Sequence, residues 1–378
     1  MSNILIISFS QLAIDSRVKR QICFLKDKYA VTAAGYGSSN IPGINHIPLE
    51  SRHCTLFQKA INATKLLSRQ FESYYWNHPR TKAAIAALSK GKYDLIIAND
   101  LESLPLALHI ANGAKVLYDA HEFAPEEFDE QASWRLFYKR YKESFCRKYL
   151  KRADKMMTVC QGIADAYQQQ FAVSPFVLTN ATHYQDLSPT QTDSKHIKLV
   201  CHGMAMQSRK LETLIEMFEY LDSRFTLDLY LIPFDKEYKE KLIEMAANYP
   251  QIQFPDAVSS EKIVDTLHQY DIGVYLLTPS NFNNHYSLPN KFFEFIQARL
   301  ALGIGPSPEM EHLVRKYECG IIAPHFEAAT LAKALNTLSA EEIMHFKKKA
   351  DAAAKELCSE ANKNLLQREV AQLLELKN

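Results

Sequence analysis

Residues 287–310 read SLPNKFFEFIQARLALGIGPSPEM, and the order of apolar and punctuating residues here decides what kind of fold the chain builds. The spacing predicts a helix whose first turn holds Pro289, with Ser287 or Leu288 as its cap and Phe292, Phe293, Ile296 and Leu300 on one buried face. Asn290, Lys291 and Glu294 lie off that face. Three residues apart on a helix, the Lys291 ammonium and the Glu294 carboxylate project from neighbouring points near the positive helix end. Ala301–Gly305 follows as a short apolar strand. Ser307-Pro308-Glu309 then opens a second helix, with Ser as cap, Pro at the first helical position and Glu behind it. Two helix starts around one short strand each offer free backbone N–H groups to an anion, which points to a diphosphate and ribose site.

Outward from this stretch the same alternation repeats. Asn3–Phe9 reads as a continuous apolar strand, Asp15–Lys28 as a helix and Ala30–Gly35 as a strand; helices follow at Leu56–Phe71 and His78–Lys90. Asp94–Ala98, Val116–Asp119, Lys155–Val159 and Phe176–Thr179 read as further strands. Residues 180–195, NATHYQDLSPTQTDSK, are polar and aperiodic and form the best linker. The pattern then restarts with strands at Leu199–His202, Leu227–Ile232, Ile252–Phe254 and Ile272–Leu277, and helices at Leu211–Leu221 and Lys236–Asn248. Ala340–Lys377 is helical, with Leu365, Leu366, Val370, Leu373 and Leu374 as its apolar stripe. Strand–helix alternation of this kind implies an α/β protein of two doubly wound, Rossmann-like domains with parallel sheets. Domain boundaries fall at 1–182, 195–355 and a C-terminal segment 356–378.

Length and charge agree. The chain has 378 residues, enough for two cores, and 44 Lys plus Arg balance 43 Asp plus Glu. A net charge of +1 gives no global field for nucleic acid. The opening MSNILIISFSQLAIDSR lacks the basic and apolar regions of an export signal, and no uncharged apolar run reaches the ~18 residues needed to span a bilayer, so the expected location is cytoplasmic. Seven cysteines, with no CxxC pair, indicate neither a disulfide framework nor a zinc site.

Ligands of open parallel sheets bind outside the carboxyl ends of the strands. The polar residues there are Ser8, Ser10 and Asp15-Ser16-Arg17 after the first strand, Asn99-Asp100 after the Asp94 strand, and Asp119-Ala120-His121-Glu122 after the Val116 strand. In the second half they are His202-Gly203 and then Ser208-Arg209-Lys210. A histidine that changes protonation near neutrality and donates from either ring nitrogen suits a site for a sugar and a phosphate leaving group. A guanidinium meets two phosphate oxygens at once, which gives Arg209 a task against a diphosphate.

The run Pro289–Phe295 followed by Gly305–Met310 resembles the donor-binding segment of GT-B glycosyltransferases close to glycosyltransferase family 4. That resemblance implies a GT-B architecture, with C-terminal helices crossing back to the N-terminal domain, and a retaining, metal-independent transfer from a nucleotide-diphosphate sugar without any other cofactor. It implies that Glu294 binds the ribose hydroxyls, that Ser307, Pro308, Glu309 and Met310 cradle the diphosphate with Asn290 and Lys291, and that Gly203, Arg209 and Lys210 complete the donor site. The DAHE segment is similar to one in which the His lines the sugar pocket; His121, with Asp100 and Glu122, is the catalytic group so implied. Asp15 and Arg17 fall on the acceptor side, in a loop without the glycine pair of relatives. A second departure is Tyr286, where relatives carry the first of two glutamates; His285, Asn283 or Asn284 stand near enough to replace it.

Other classes fit less well. The loop after the first strand has no GxGxxG, against a dehydrogenase; no Asp-x-Asp pair exists for a metal-dependent transferase; a periplasmic binding protein needs an export signal. A sugar-nucleotide epimerase of the same architecture and a non-catalytic sugar-nucleotide binding module stay open. For the acceptor, residues 134–155 place Trp134, Phe137, Tyr138, Tyr141 and Phe145 at helical spacing among nine Lys or Arg and two acids. Such a pattern fits a domain helix with an aromatic core face and a solvated basic face, and it also suits an anionic membrane surface with a lipid-linked acceptor at the inner face of a membrane, a glycan acceptor being the alternative. Surface polysaccharide or glycoconjugate assembly is the expected setting.

Overall fold

Apolar strands buried on both faces build two parallel sheets in the structure, a computed structural model that describes residues 1–52 and 54–376. The first sheet contains β1 (Asn3–Gln11), β2 (Ala30–Tyr36), β3 (Asn45–Pro48), β4 (Leu95–Asn99), β5 (Lys115–Ala120), β6 (Lys155–Thr158) and β7 (Phe176–Val177), in the order β3-β2-β1-β4-β5-β6-β7. The second contains β8 (Ile197–Met204), β9 (Phe225–Ile232), β10 (Ile252–Gln253), β11 (Ile272–Tyr275), β12 (Ala301–Ile304) and β13 (Gly320–Ile322), in the order β10-β9-β8-β11-β12-β13. All the ladders are parallel. The chain order reverses between β1 and β4 in one sheet and between β8 and β11 in the other, and a crevice at the carboxyl ends is expected at each reversal. The edge strands β3 and β13 escape the sequence reading because each is short and only half-buried, so neither carries a continuous apolar run.

The chain divides into two compact units, one holding residues 1–179, 281–283 and 362 onward, the other residues 180–280 and 284–361. The polar stretch expected as a linker is packed into the second unit from Asn180, and the return begins at Asn362 rather than at 356. Polar groups of that stretch, backbone and side chain, are its anchors: fully buried Arg299 donates to the Gln185 carbonyl at 2.6 Å, and the Thr192 hydroxyl donates to Asp271 at 2.8 Å. A polar segment without periodicity can thus be fixed by hydrogen bonds that no apolar pattern reveals.

The helical end is two helices, Ala340–Ala354 and Ser359–Glu375, separated by a turn; Lys377 lies outside the described residues. In the first unit Leu366, Val370 and Leu373 pack against Ile4, Ile6, Val18, Ile22 and Leu25, Gln367 donates to Phe24 O at 2.6 Å, and Glu369 pairs with Lys155. The last helix therefore completes the core beneath the first sheet. Leu366→Ala is expected to destabilise this unit by about 2–4 kcal/mol, the cost of a cavity at a fully buried site; urea unfolding followed by circular dichroism checks it.

Candidate active site

In the second unit, β8 delivers His202 and Gly203 to the carboxyl edge beside the reversal. Gly203 has φ +125°, and a Cβ built on it would sit 3.1 Å from Arg209 Nη1 and 3.2 Å from Lys291 Nζ. Both cations therefore converge on one point that only a glycine leaves open. Lys291 belongs to the helix Asn290–Gln297, whose Phe292, Phe293 and Ile296 are buried as the spacing predicts, as is Leu300 beyond it; Phe295 is buried as well. The cap is Pro289 rather than Ser287 or Leu288, and no side chain bonds the first turn. Lys291 is itself buried, its ammonium 4.2 Å from the centre of the Tyr275 ring at the end of β11.

Burial pushes the Lys291 ammonium down to about 8, and the Arg209 guanidinium acts in the same direction. Among the described residues, neither cation has a carboxylate within ion-pair distance. Glu294 instead faces His202, its Oε2 3.2 Å from the His202 Nε2. Burial holds the His202 imidazole below its ordinary pKa, so it is neutral at pH 7. These groups, with Asn290, Tyr230 and Ile263, wall a pocket of about 240 Å³.

The helix Pro308–Tyr317 starts as expected, with Ser307 extended before it and Pro308 in its first turn. The Ser307 hydroxyl, however, makes no capping bond; it is fully buried and unpartnered. Buried polar groups are nearly always satisfied, so this one points to a ligand group. Its loop is tied to Tyr275, the ring against Lys291, through Gly305, whose N–H donates to Tyr275 O at 3.2 Å.

Two donor-side residues stand elsewhere. Lys210 is an exposed residue of left-handed backbone, φ 45°, closing the turn that holds Arg209, and it lines no part of this pocket. Met310 is 1% exposed, so its side chain belongs to the core. Pro308 and Glu309 are half-buried in the first turn beside Ser307.

In the first unit, β1, β4 and β5 bring a second group of side chains to their carboxyl ends. Asp119 is fully buried and takes both Arg17 Nε and Arg17 Nη2 at 2.7 Å, while Arg17 Nη1 donates to Leu178 O at 2.7 Å. Gln21 donates to Asn99 Oδ1 at 2.9 Å and also to Asp119. His121 lies over this network, with Nε2 3.0 Å from Asn99 Oδ1 and 3.4 Å from Asp119, and Nδ1 3.4 Å from Asp100. Burial pulls the imidazole down, but the two facing carboxylates outweigh it and push His121 up to about 9. Burial works against Asp119 too, and Arg17 with His121 carries it down to about 2.

His121, Asp100 and Glu122 line one pocket of about 140 Å³, which Lys142 closes with ion pairs of 2.6 Å to Glu102 and Glu127. Desolvation in that wall, then the Glu127 and Asp100 carboxylates, raise Glu122. The expected catalytic residues therefore come together.

The acceptor-side residues are a correction. Arg17 is spent inside the fold on Asp119, and Asp15 caps the helix Ser16–Leu25, accepting from Val18 N at 3.0 Å and from Ser10 at 2.6 Å. Neither is presented to a ligand. Asn283 likewise accepts from Phe123 N at 2.7 Å and donates to Glu126 O at 3.2 Å, fixing the turn after His121. It does not stand in for the missing glutamate. Residues 134–155 have the aromatic core face and basic outer face of a domain helix: Trp134, Tyr141 and Phe145 are buried, Lys142 and Lys148 are ion-paired, and Arg140 and Arg147 are exposed. Glu102, Lys142, Gln21 and Tyr275 are site residues that the sequence reading misses; only Tyr275, at a strand end, had a positional signal.

Residues 50–181 match the model of Glycosyltransferase Family 4. Over the whole chain the fold resembles that of HepE from Anabaena, solved with UDP and glucose, at 14% identity, covering 98% of this chain and 100% of that one with a TM-score of 0.70. It also resembles sucrose-phosphate synthase from Thermosynechococcus elongatus, at 14% identity and 100% coverage of both chains with a TM-score of 0.76. A glycosyltransferase from Rickettsia africae is similar at 14% identity, 100% of this chain and 98% of that one, TM-score 0.67. No curated protein matches the sequence. The fold is the GT-B fold of these enzymes.

Proposed function

We propose that this GT-B chain is a glycosyltransferase that moves a sugar from a nucleotide-diphosphate sugar to a hydroxyl of a glycan or lipid-linked acceptor, with retention at the anomeric carbon. The observation that carries the reading is the convergence of Arg209 and Lys291 on Gly203 without an ion-paired carboxylate. A buried ammonium without a counter-charge is costly unless an anion arrives to share its site. The structures of HepE hold UDP and UDP-glucose, which supports a uridine diphosphate sugar as donor.

In this reading Arg209, Lys291 and the Ser307 hydroxyl at the start of the helix Pro308–Tyr317 take the charge that accumulates as the bond between the anomeric carbon and the diphosphate oxygen breaks. Glu294 accepts from the ribose hydroxyls. The acceptor oxygen bonds to the anomeric carbon on the face being vacated, and its proton passes to the departing phosphate oxygen. His121, protonated between Asp100 and Asp119, donates to a sugar hydroxyl and orients it. Two cations and helix ends supply the positive charge, so no divalent ion or further cofactor is required.

The setting proposed is cytoplasmic, at the inner face of a membrane, in surface polysaccharide or glycoconjugate assembly. Among the described residues no helix is long and apolar enough to cross a membrane. Leu56 and Phe57 open the helix Leu56–Leu67 at 85% and 74% exposure, and Leu136, 61% exposed, lies on the segment packed along that helix, near exposed Arg135 and Arg140. Apolar and basic side chains together suit the surface of an anionic bilayer.

A panel of nucleoside diphosphates and their sugar conjugates, read by thermal shift and by nuclear magnetic resonance of the products, tests the reading. UDP is expected to raise the melting temperature in the presence of EDTA, and a UDP-sugar with acceptor is expected to give a transferred glycoside rather than an epimer. Glu294→Ala is expected to weaken UDP binding about tenfold, the loss of one pair of charge-assisted hydrogen bonds. Unchanged affinity in that variant removes Glu294 from the site.

A further inference from the structure

The cavity around His121 is not alone in the first unit. A pocket of about 510 Å³ opens where β1 and β2 end, between the helix Leu56–Leu67 and the segment 135–139. Its walls include Lys59 and Arg80, with Arg52 already paired to Glu50, and three tyrosines, Tyr36, Tyr74 and Tyr138; no carboxylate lines it among the described residues. In a chain whose acids and bases balance at 43 and 44, such one-sided charge in one hollow has to be explained.

Arg80 is the key to it. Its guanidinium lies 4.5 Å from the centre of the Phe9 ring at the end of β1, and its charge acts on Tyr36 at the end of β2. Its Nε is buried without a partner. No carboxylate comes within 4 Å of it among the described residues; Glu102 acts on it from farther off. The backbone N–H of Arg80 is held by His78 Nδ1 at 3.2 Å. Burial first, and then Arg80, press the His78 imidazole down to about 4, so it stays neutral and adds no competing charge. A guanidinium stacked on one aromatic ring, with a buried donor to spare and an ammonium at the mouth of the pocket, is a receptor for an anion.

We propose that this pocket binds the anionic group, a phosphate or a carboxylate, of the acceptor, with Arg80 as the buried counter-charge, Lys59 at the mouth and the tyrosines against a ring face. The inference rests on the reading of the chain as a sugar transferase. Glu102 lines the His121 pocket, and its charge acts on Arg80 from beyond ion-pair distance. An acceptor anchored by its anion at Arg80 presents a hydroxyl beyond Glu102 towards His121.

Calorimetric titration of the full chain tests this, with glucose 6-phosphate and glucuronate as soluble probes, UDP as the donor-site reference, and co-sedimentation with phosphatidylcholine vesicles with and without phosphatidylinositol. UDP is present at saturation while the soluble probes are titrated. Arg80→Gln and the exposed Lys59→Glu are each expected to weaken probe binding about tenfold or more, as loss of a charge-assisted bond does, with UDP affinity unchanged. Binding of a soluble probe identifies a free sugar anion as the source, and vesicle binding that needs phosphatidylinositol identifies a lipid headgroup. A parent chain that takes UDP but no probe and no vesicle overturns this proposal alone, as do equal affinities in parent and Lys59→Glu. A parent that takes no UDP removes the donor reading first, and the acceptor assignment with it.

Discussion

Lys291→Met is expected to raise the melting temperature of the unliganded protein while reducing its affinity for UDP about a hundredfold. The two effects have one cause. Lys291 is 5% exposed and its ammonium is pushed down to about 8, chiefly by burial, so below that pH the folded state carries a charge that the unfolded chain hydrates freely. A pKa about 2.5 units below its ordinary value corresponds to an upper limit of about 3 kcal/mol of lost stability at neutral pH. That cost is present in full below pH 8 and fades between pH 8 and 10.5, where the unfolded chain binds the extra proton. Methionine fills much the same volume without charge. UDP, by contrast, needs the ammonium, and its affinity in the parent should fall as pH rises through about 8. Gly203→Val attacks the same point sterically: its Cβ would lie 3.1 Å from Arg209 and 3.2 Å from Lys291, on backbone at φ +125°. It should abolish UDP binding outright. A Lys291→Met chain that is less stable than the parent, or that keeps its UDP-induced thermal shift, would sink this account.

Two nested levels of pattern made this site legible. Strands such as Ile4–Ile7 are apolar without interruption because both faces are covered, and that alone announces a parallel sheet and its functional edge. The helix starts at Asn290 and Pro308 announce themselves by Pro, Asn and Ser at fixed offsets. What stayed hidden was decided by contacts far apart in sequence. Arg17 reads as a loop cation at the mouth of a site until Asp119, 102 residues away, takes both its ends. Residues 134–155 leave two readings open, a domain helix or a membrane-surface helix, because periodicity gives an aromatic face and a basic face but not what either of them meets. Arg80 was invisible for the same reason: on a helix that reads as ordinary, only folding brings it to Phe9 and Tyr36.

The first unit carries its own pH signature, and His121→Asn should erase one limb of it. His121 is pushed up to about 9, above its ordinary value, so the stability it contributes is complete below about pH 6.5 and is lost as pH rises through 9. Asp119 is carried down to about 2, so its contribution is complete above about pH 4 and is lost as pH falls through 2. Between these limits a single proton sits on the imidazole, between two carboxylates at 3.4 Å, with Arg17 neutralising Asp119 from the other side. Each shift alone is worth about 2–3 kcal/mol, and since the two groups face each other their contributions overlap rather than add. Urea midpoints of the parent should therefore drop between pH 6.5 and 9, and those of His121→Asn should run flatter across the same interval. The two curves should draw together at pH 9. Arg17→Leu should act at the other end, leaving Asp119 buried without its main counter-charge and destabilising the unit by about 3–5 kcal/mol at neutral pH. If parent and His121→Asn lose stability in parallel up to pH 9, the imidazole is not the protonated group at the carboxyl end of β5, and a different side chain must orient the transferred sugar.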